Sequence, residues 1–589
     1  MTSPMAFARS VSMKARLWPQ GFVAAACVLG ASVLGGASCS GNSGHTETPP
    51  VTPAEIEHAQ LGTPDLRLLV LTDLKGYLEP CGCTSRPLGG IDRMAAQVAS
   101  LRAEGIPTVM VGAGDLFFDA PQGHGSERAG AETQEIWKAE TLVQILDGMG
   151  MAAAVPGGLD LRFGASTFAD LDQRATFPLL ASGVSVDVPN ADDAGLADAG
   201  VDAGSATHPL ALPGHIIVQA GALHVGIFGV TDMIAGAGVA EGVTAPDDLE
   251  AQARTAAAAL RAEGADVVIA LVRGPRRTVR RIASRVETID FVVEGGLDEA
   301  EANPPAVVEH SAILHAGRQG QGLLVVDLHR RSETNTAGWT DVSTWTREVE
   351  RTHLTGQIES LRARIAEWEH DTNVAAADLA EQRTRLAALE ADAARLTHAP
   401  TAPGSAFEAR LVELDPDAAR DASTQSIINA YSQRVNEHNR TAFASWLPET
   451  PAEGMPHYVG SDTCASCHAT EHAWWRTTPH GRAYNTLVDV HKEFNLSCVG
   501  CHVTGYLQPG GATVSHVGPL QDVGCENCHG PGSAHIASPS EALVNVHRAV
   551  PESTCLGCHT PEHSDTFNYE AYMRAIVVPG HGLPSPAGQ

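Results

Sequence analysis

The chain has 589 residues, 43% of them hydrophobic, and a formal net charge of −30 at pH 7. Its length allows three or four domains, and its hydrophobic content is ordinary for folded protein with large cores. The acidic balance argues against a nucleic-acid partner, because proteins that bind nucleic acid present a basic face to the phosphates.

Residues 1–38 are predicted to be an export signal. Arg9, Lys14 and Arg16 precede an apolar run from Gly21 to Leu34, and small residues follow it. These are the basic, apolar and cleavage regions of a secretory signal. An apolar run of this length is also compatible with a membrane anchor, so that alternative stays open.

Residues 39–65 are predicted to be a flexible tether that begins with a stretch rich in Ser, Gly and Pro. The small residues before Cys39 resemble a bacterial lipoprotein signal, in which Cys39 becomes the lipidated N-terminus, although Gly36 stands where such signals usually carry Leu. We therefore expect the protein on the periplasmic side of a bacterial cell envelope. Attachment to the outer membrane through Cys39 is a further hypothesis.

Residues 66–343 are predicted to form an α/β layered domain. Apolar runs rich in β-branched residues alternate there with Ala- and Leu-rich stretches, which is the pattern of buried strands between helices. The predicted strands are 66–71, 108–111, 216–218, 223–230, 267–271, 291–293 and 322–328. The stretch 192–204, rich in Asp, Ala and Gly, is predicted to be a solvated insert.

A series of short motifs runs through residues 66–328. They are Leu69 to Pro80, Gly89-Gly90, Gly112-Ala-Gly-Asp115, Gly157 to Gly164 and Leu223 to Thr231. Together they resemble the motifs of periplasmic 5′-nucleotidase-like metallophosphoesterases, the UshA-like group. The resemblance implies a four-layer α/β/β/α fold.

The metal site of that family is altered in this chain. In the family, Asp, His and Asn side chains hold two divalent metal ions that activate water for attack on phosphorus. Asp73 and Asp115 remain, but the positions of the other ligands carry Lys75, Gly158, Leu159, Arg273, Leu297 and Glu299. Two carboxylates beside a Lys and an Arg cannot complete a dimetal site, so we expect a degenerate domain that keeps the fold and lacks the hydrolytic reaction.

Cys81 and Cys83 follow the segment that carries Asp73, in the sequence Pro80-Cys-Gly-Cys83. Two exposed thiols this close can form a short disulfide that is easily reduced, which suits redox exchange. A structural thiol pair and a metal clip are the alternatives. The pair is therefore a candidate redox site.

Residues 344–400 are predicted to be helical, and residues 401–455 are predicted to link this segment to the rest of the chain. Apolar side chains follow a heptad-like spacing at Leu354, Ile358, Leu361, Ile365, Trp368, Leu379, Leu386, Leu389 and Leu396. Either one long coiled-coil helix or a hairpin bent near residues 370–373 fits this pattern. A helix packed onto its own domain is the alternative to a spacer or dimer seam.

Four Cys-x-x-Cys-His motifs lie within residues 456–589. Two thiols one helical turn apart can add to the two vinyl groups of haem, and the adjacent His supplies the proximal iron ligand. Zinc knuckles or disulfides that use the Cys-x-x-Cys pairs are the alternative, but zinc does not require a His directly after the second Cys in every copy. The motifs therefore predict four c-type haems, attached through Cys464, Cys467 and His468; Cys498, Cys501 and His502; Cys525, Cys528 and His529; and Cys555, Cys558 and His559.

The segment 458–581 resembles the tetrahaem cytochrome c-554 family. The similarity is carried by the first three attachment motifs and by Trp475, Thr478-Pro-His480, Gly524 to Gly532 and His535. This implies a mainly α-helical multihaem domain with histidines on both sides of most irons.

The resemblance also implies which histidines are distal ligands. His535 would serve the first haem, His480 the third and His581 the fourth, with His563 competing for the fourth. The second haem, on His502, has no partner within the matched motifs, since His491 and His516 lie outside them. Its iron would then have an open face for a small molecule.

These patterns lead to one expected function and two alternatives. We expect electron transfer between periplasmic redox proteins, by a cytochrome that a lipid anchor could hold at a membrane. An oxidoreductase acting at the open haem or at Cys81 and Cys83 is the first alternative. A phosphohydrolase with an appended cytochrome is the second, and the missing ligands argue against it.

Overall fold

The computed structural model describes residues 57–80, 86–120, 130–190, 207–235, 238–297, 302–331, 338–402, 404–539, 546–560, 564 and 566–578. Several predicted features lie outside these ranges, namely the export signal, Cys39, Cys81, Cys83, Glu299, His563 and His581. Over the described ranges, the helices are all too short or too polar to cross a membrane.

The strands of the α/β domain form two six-stranded sheets and smaller ribbons. In chain order they are β1 (Leu66–Thr72), β2 (Thr108–Ala113), β3 (Met151–Val155), β4 (Ser185–Pro189), β5 (Thr207–Ala211), β6 (His215–Ala220), β7 (Leu223–Thr231), β8 (Ile234–Ala235), β9 (Gly238–Val239), β10 (Val243–Thr244), β11 (Val267–Arg273), β12 (Phe291–Gly295), β13 (Asn303–Val308), β14 (Ser311–His315), β15 (Gly322–His329), β16 (Trp339–Asp341) and β17 (Ser405–Glu413). One large sheet has the order β16-β17-β15-β1-β2-β3, and the other has the order β13-β14-β12-β11-β7-β6.

Longer helices lie between and after these strands along the chain. They are α1 (Ile91–Ala103), α2 (Glu132–Gly148), α3 (Gly164–Arg174), α4 (Leu249–Ala262), α5 (Arg276–Arg285), α6 (Thr344–Trp368), α7 (Ala376–Arg395) and α8 (Ala422–Ala442). Apolar residues of both sheets form a shared core between them. On the outer faces, α1 to α3 pack on the first sheet, and α4 and α5 pack on the second, while α8 packs on α1 and α2. This is the four-layer α/β/β/α arrangement that the sequence motifs implied.

The segment after residue 400 contributes to the α/β layers as well as linking the domains. β17 pairs antiparallel with β15 and parallel with β16, inside the first sheet. Ile428 and Val435 of α8 are buried in the core beneath that sheet. Residues 401–455 therefore complete the α/β domain before they lead to the C-terminal region.

The predicted heptad segment is an antiparallel helical hairpin. α6 ends at Trp368 and α7 begins at Ala376, so the chain turns close to the predicted bend. Ion pairs join Arg362 to Glu390 and Arg383 to Glu369 across the hairpin. Ile358, Leu361 and Ile365 of α6 are its buried apolar residues, which shows that the heptad spacing serves contacts within the chain.

The C-terminal region consists of short helices joined by turns. They are α9 (Ser461–Cys464), α10 (Ala469–Trp475), α11 (Ala483–Val488), α12 (Leu496–Val499), α13 (Cys525–His529), α14 (Ser533–Ala537), α15 (Glu552–Cys555) and α16 (Tyr569–Ile576). Its apolar core is a small cluster around Tyr484, Leu496, Val499 and Val503. So small a core for so many helical turns is consistent with a domain that is built around a bulky apolar cofactor.

Candidate haem and metal sites

The strand ends of the α/β domain bring the predicted metal-site residues together. Asp73 follows β1, Asp115 follows β2, Arg273 ends β11, and Gly296 follows β12. The carboxyl ends of the parallel strands in both sheets therefore meet at one edge, which is where ligand sites of open α/β sheets form.

The two carboxylates at this edge accept hydrogen bonds from backbone amides, and one of them also pairs with an arginine. Asp73 accepts hydrogen bonds from the amides of Gly296 (2.7 Å) and Leu297 (3.3 Å). Asp115 accepts one from the amide of Leu159 (2.9 Å) and lies 3.4 Å from Nη2 of Arg273. The carboxylates that would bind metal are thus engaged by donors of the protein itself.

Arg273 is the central cation of this edge. Its guanidinium forms ion pairs with both Asp115 and Asp232, and all three side chains are largely buried. Burial raises the pKa of Asp115, and the charge of Arg273 opposes that rise. The guanidinium therefore supplies positive charge where the resembled family has metal ions.

Two glycines let the chain approach the carboxylates closely. A Cβ on Gly114 would lie 2.0 Å from Oδ1 of Asp73, and one on Gly157 would lie 2.0 Å from Oδ1 of Asp115. Gly114 also has a φ of 98°, which disfavours other residues. The loops around the degenerate site therefore remain as tight as a metal site requires.

Asp160 organises the same loops, a role that the sequence motifs did not indicate. Its fully buried carboxylate accepts hydrogen bonds from the amides of Leu116, Phe117 and Gly157. Burial raises the pKa of Asp160 to about 7, and it raises the pKa of Asp73 to about 7 as well. Across the described ranges, no three His, Cys, Asp or Glu side chains are grouped so as to hold a metal ion.

Each attachment motif of the C-terminal region lies on a short helical turn. α9 ends at Cys464, α12 contains Cys498, α13 runs from Cys525 to His529, and α15 ends at Cys555. In the first and fourth motifs the amide of the His donates to the carbonyl of the first Cys over 2.9 Å. None of the eight motif cysteines forms a disulfide in this structure, so their sulfurs fit the thioether bonds of a c-type haem.

The histidines of the second and third motifs are held in the tautomer that suits metal binding. Nδ1 of His502 lies 2.6 Å from the carbonyl oxygen of Ala483, and Nδ1 of His529 lies 2.6 Å from that of His547. A carbonyl oxygen only accepts, so Nδ1 donates in both cases. Nε2 then carries the lone pair, which is the usual arrangement for a histidine that ligates a metal.

The rings of His468 and His535 are separated by the distance expected for two ligands of one iron ion. Their ring centroids are 6.4 Å apart. Metal–nitrogen bonds to histidine are about 2 Å long, which places the centroids of two imidazoles on one metal about 6 Å apart. Nδ1 of His535 is buried and has no hydrogen-bond partner among the described residues, so this nitrogen is available to a metal ion.

His480 forms the second such pair, with His559 of the fourth motif. The ring centroids are 6.2 Å apart. Burial lowers the pKa of both histidines, which favours the neutral form that binds metal. The sequence motifs suggested the third haem for His480, whereas this geometry favours the fourth.

The first and third motifs are held together by residues of the C-terminal region itself. The amide of Cys525 donates to Oγ of Ser461 over 3.1 Å, and Ser461 lies three residues before Cys464. The buried carboxylate of Glu526 accepts hydrogen bonds from the amides of Val459, Gly460 and Gly532. Glu526 lies inside a Cys-x-x-Cys-His motif, where its position alone gives no sign of a bracing role.

The Cys-x-x-Cys-His motifs on short helical turns are the arrangement typical of c-type cytochromes. Residues 463–530 match the family model described as "Cytochrome c554 and c-prime". Over 91 residues the chain is 37% identical to cytochrome c-554 of Nitrosomonas europaea (strain ATCC 19718), a match that covers 13% of this chain and 39% of that protein. The chain thus spans about two fifths of the length of this curated relative.

Solved structures similar to the chain include two from Thermus thermophilus. One is a 5′-nucleotidase precursor, which is 16% identical with a TM-score of 0.40, and the match covers 63% of this chain and 59% of that one. The other is the sulfate thiohydrolase SoxB in complex with glycerol, which is 14% identical with a TM-score of 0.40, and the match covers 65% of this chain and 62% of that one.

Proposed function

We propose that this protein is an exported four-haem cytochrome that transfers electrons between periplasmic redox partners. The observation that carries the proposal is the pair of histidine couples, His468 with His535 and His559 with His480, each spaced for one iron. Iron with two His ligands has no open position, which favours electron transfer over substrate chemistry. A lipid anchor at Cys39 is part of this proposal.

The ligand pairs also suggest assignments for the other two haems. With His480 beside His559, the fourth haem has both ligands, so His581 is available to the third haem on His529. The second haem, on His502, keeps an open face in this assignment. It would be the haem at which a small molecule could bind.

The protein side chains position the haems and set their environment. A c-type haem supplies reversible one-electron transfer at its iron. The Cys pairs would hold the porphyrin covalently, and the carbonyl groups of Ala483 and His547 orient the imidazoles that would be the proximal ligands of two haems. Glu526 holds the first motif against the third.

Mass spectrometry of the protein, matured in a host that attaches haem, is expected to show four haem additions. Four complete motifs are present, and each provides two thiols and a proximal ligand. Replacing Cys555 and Cys558 with Ala should leave three additions. Replacing Cys81 and Cys83 with Ala, as a control, should leave four. Fewer than four in the unaltered chain would contradict the proposed haem count.

A redox role for Cys81 and Cys83 is a second candidate function, and one ion pair favours it. Glu79, two residues before Cys81, contacts Nζ of Lys492 at 2.5 Å. Lys492 precedes Cys498 of the second motif by six residues. The segment that leads to the thiol pair is therefore attached to the segment that leads to the second haem.

A reductive titration of the full-length oxidised protein tests this role. A disulfide takes up two electrons and two protons as it becomes two thiols, so the protein should accept about six electrons, four at haems and two at sulfur. With Cys81 and Cys83 replaced by Ser, it should accept about four. Equal uptake by the two proteins would exclude a reducible disulfide at this position.

The α/β domain is proposed to lack phosphohydrolase activity. A two-metal mechanism needs ligands that hold both ions and a metal-bound water that attacks phosphorus. Here Arg273 engages Asp115, and backbone amides engage Asp73. This donor set does not fit two divalent ions, so no step of a hydrolytic mechanism is assigned to these residues.

A further inference from the structure

Gln134 of α2 is a buried polar side chain at the junction between the α/β domain and the cytochrome region. Only 3% of its surface is exposed. Its Nε2 donates to Oδ1 of Asn495 and to Oγ of Ser497, each over 3.2 Å. Its Oε1 accepts from the amide of Leu496 (3.1 Å) and from Nδ2 of Asn439 on α8 (3.0 Å). All hydrogen-bonding groups of the amide are therefore used.

Three of these partners directly precede Cys498, the first thiol of the second attachment motif. Asn495 caps α12, the helix that carries Cys498, by accepting a hydrogen bond from the amide of Ser497 over 2.9 Å. Gln134 contacts both the side chain that forms this cap and the backbone of the first helical residue. A shift of Gln134 would consequently move the helix that carries the thiol.

Two asparagines of α8 hold the preceding residues in the same way. Asn436 donates to the carboxylate of Glu493 (2.9 Å) and accepts from the amide of Phe494 (3.0 Å). Asn439 donates to the carbonyl oxygen of Phe494 over 2.9 Å. Backbone groups of the segment before Cys498 are thus satisfied by side chains of the α/β domain, and burial would make their loss costly.

Apolar side chains surround these polar contacts at the junction. Leu496 and Val499 pack in one buried cluster with Ala131 and Phe443, which precede the cytochrome region. Tyr431 of α8 is buried there, and its hydroxyl donates to the carbonyl oxygen of Gln134 over 3.3 Å. Polar contacts in such an environment are stronger than at the surface, because the local dielectric constant is low.

We propose that Gln134 is a positioning residue for the second haem, and that the degenerate phosphoesterase-like domain is a structural part of that haem's site. This inference rests on the proposed haem function. His502 is fixed on one side by the carbonyl of Ala483, and Cys498 is fixed on the other side through Asn495 and Gln134. Two separate contacts would therefore hold the attachment motif of the second haem, and one of them comes from the α/β domain.

The first and third motifs are braced differently. Glu526 and Ser461, both within the cytochrome region, tie those two motifs to each other. A change at Gln134 should accordingly act on the second haem and leave these two as they are. An effect confined to the second haem would distinguish a positioning role of Gln134 from a general loss of stability.

The test compares full-length, four-haem proteins that carry Gln134→Leu or Gln144→Leu. Gln144 lies on the same helix and is exposed, so its replacement controls for the change in composition. In Gln134→Leu one of the four reduction potentials should shift by about 59 mV, a tenfold change in the equilibrium of a one-electron couple. The electron paramagnetic resonance signal of the high-spin haem should change shape, while the low-spin signals stay constant. Gln144→Leu should match the unaltered protein.

A milder variant, Ser497→Ala, keeps the test valid where Gln134→Leu does not fold. Ser497 is exposed and provides one of the acceptors for Nε2 of Gln134, so the loss of its hydroxyl should shift the same potential in the same direction, by less. Unchanged potentials and spectra in both variants would overturn the proposal, even with a lowered unfolding temperature. Four low-spin haems in the unaltered protein would contradict the open second haem, whereas a selective shift in Gln134→Leu would still support the positioning role.

Discussion

Replacing His480 with Ala is expected to convert one of the four haems from low-spin to high-spin. The ring of His480 faces that of His559 at 6.2 Å, the spacing of two ligands on one iron. Without a second imidazole the iron has an open position and binds carbon monoxide rapidly once reduced. About a quarter of the reduced haem should gain this reactivity, as measured by electron paramagnetic resonance and stopped-flow absorbance.

The same variant distinguishes the two assignments of His480. In a protein that also lacks Cys555 and Cys558, and so has no fourth haem, His480→Ala should add no further high-spin signal. An added signal in that background would assign His480 to the third haem, as the sequence motifs suggested. His457→Ala is the matched control, because His457 is exposed and should leave every haem unchanged.

Replacing Arg273 with Leu is expected to destabilise the α/β domain by about 3–5 kcal/mol. Asp115 and Asp232 would be left buried without their ion-pair partner. Calorimetry of the full chain should show the transition of this domain at a lower temperature. Arg277→Leu is the control, since Arg277 is exposed on α5. An equal effect of both substitutions would contradict a central role for Arg273.

The loss in Arg273→Leu should also depend on pH. Burial raises the pKa of Asp115 even in the presence of Arg273, and removal of the cation raises it further. A carboxyl group whose pKa is higher in the folded protein than its unfolded value of about 3.9 does not lower the free energy of unfolding at pH values below about 3.9. It lowers that free energy as pH rises from there through the folded pKa. The deficit should therefore be smaller at pH 4 than at pH 7. A constant deficit would argue that lost packing, and not lost charge, is responsible.

The sequence alone determined the features that depend on adjacent residues. A Cys-x-x-Cys-His motif brings two thiols and an imidazole together within one helical turn, so the attachment sites can be predicted without a fold. The substitutions at Lys75 and Leu159 are similarly local, and periodic apolar runs indicated the α/β layers. The match of residues 463–530 to a cytochrome family confirms the resemblance that the motifs of this segment indicated.

Only the tertiary structure decided which distant residues meet. The pairing of His480 with His559 depends on the path of the chain between them, and nothing in either motif encodes it. The contact of Gln134 with Asn495 joins residues 361 positions apart, and β17 enters its sheet from a segment expected to be a linker. Such contacts arise because burial requires each polar group to find a partner wherever the fold places one. Spacing along the chain carries no information about that partner.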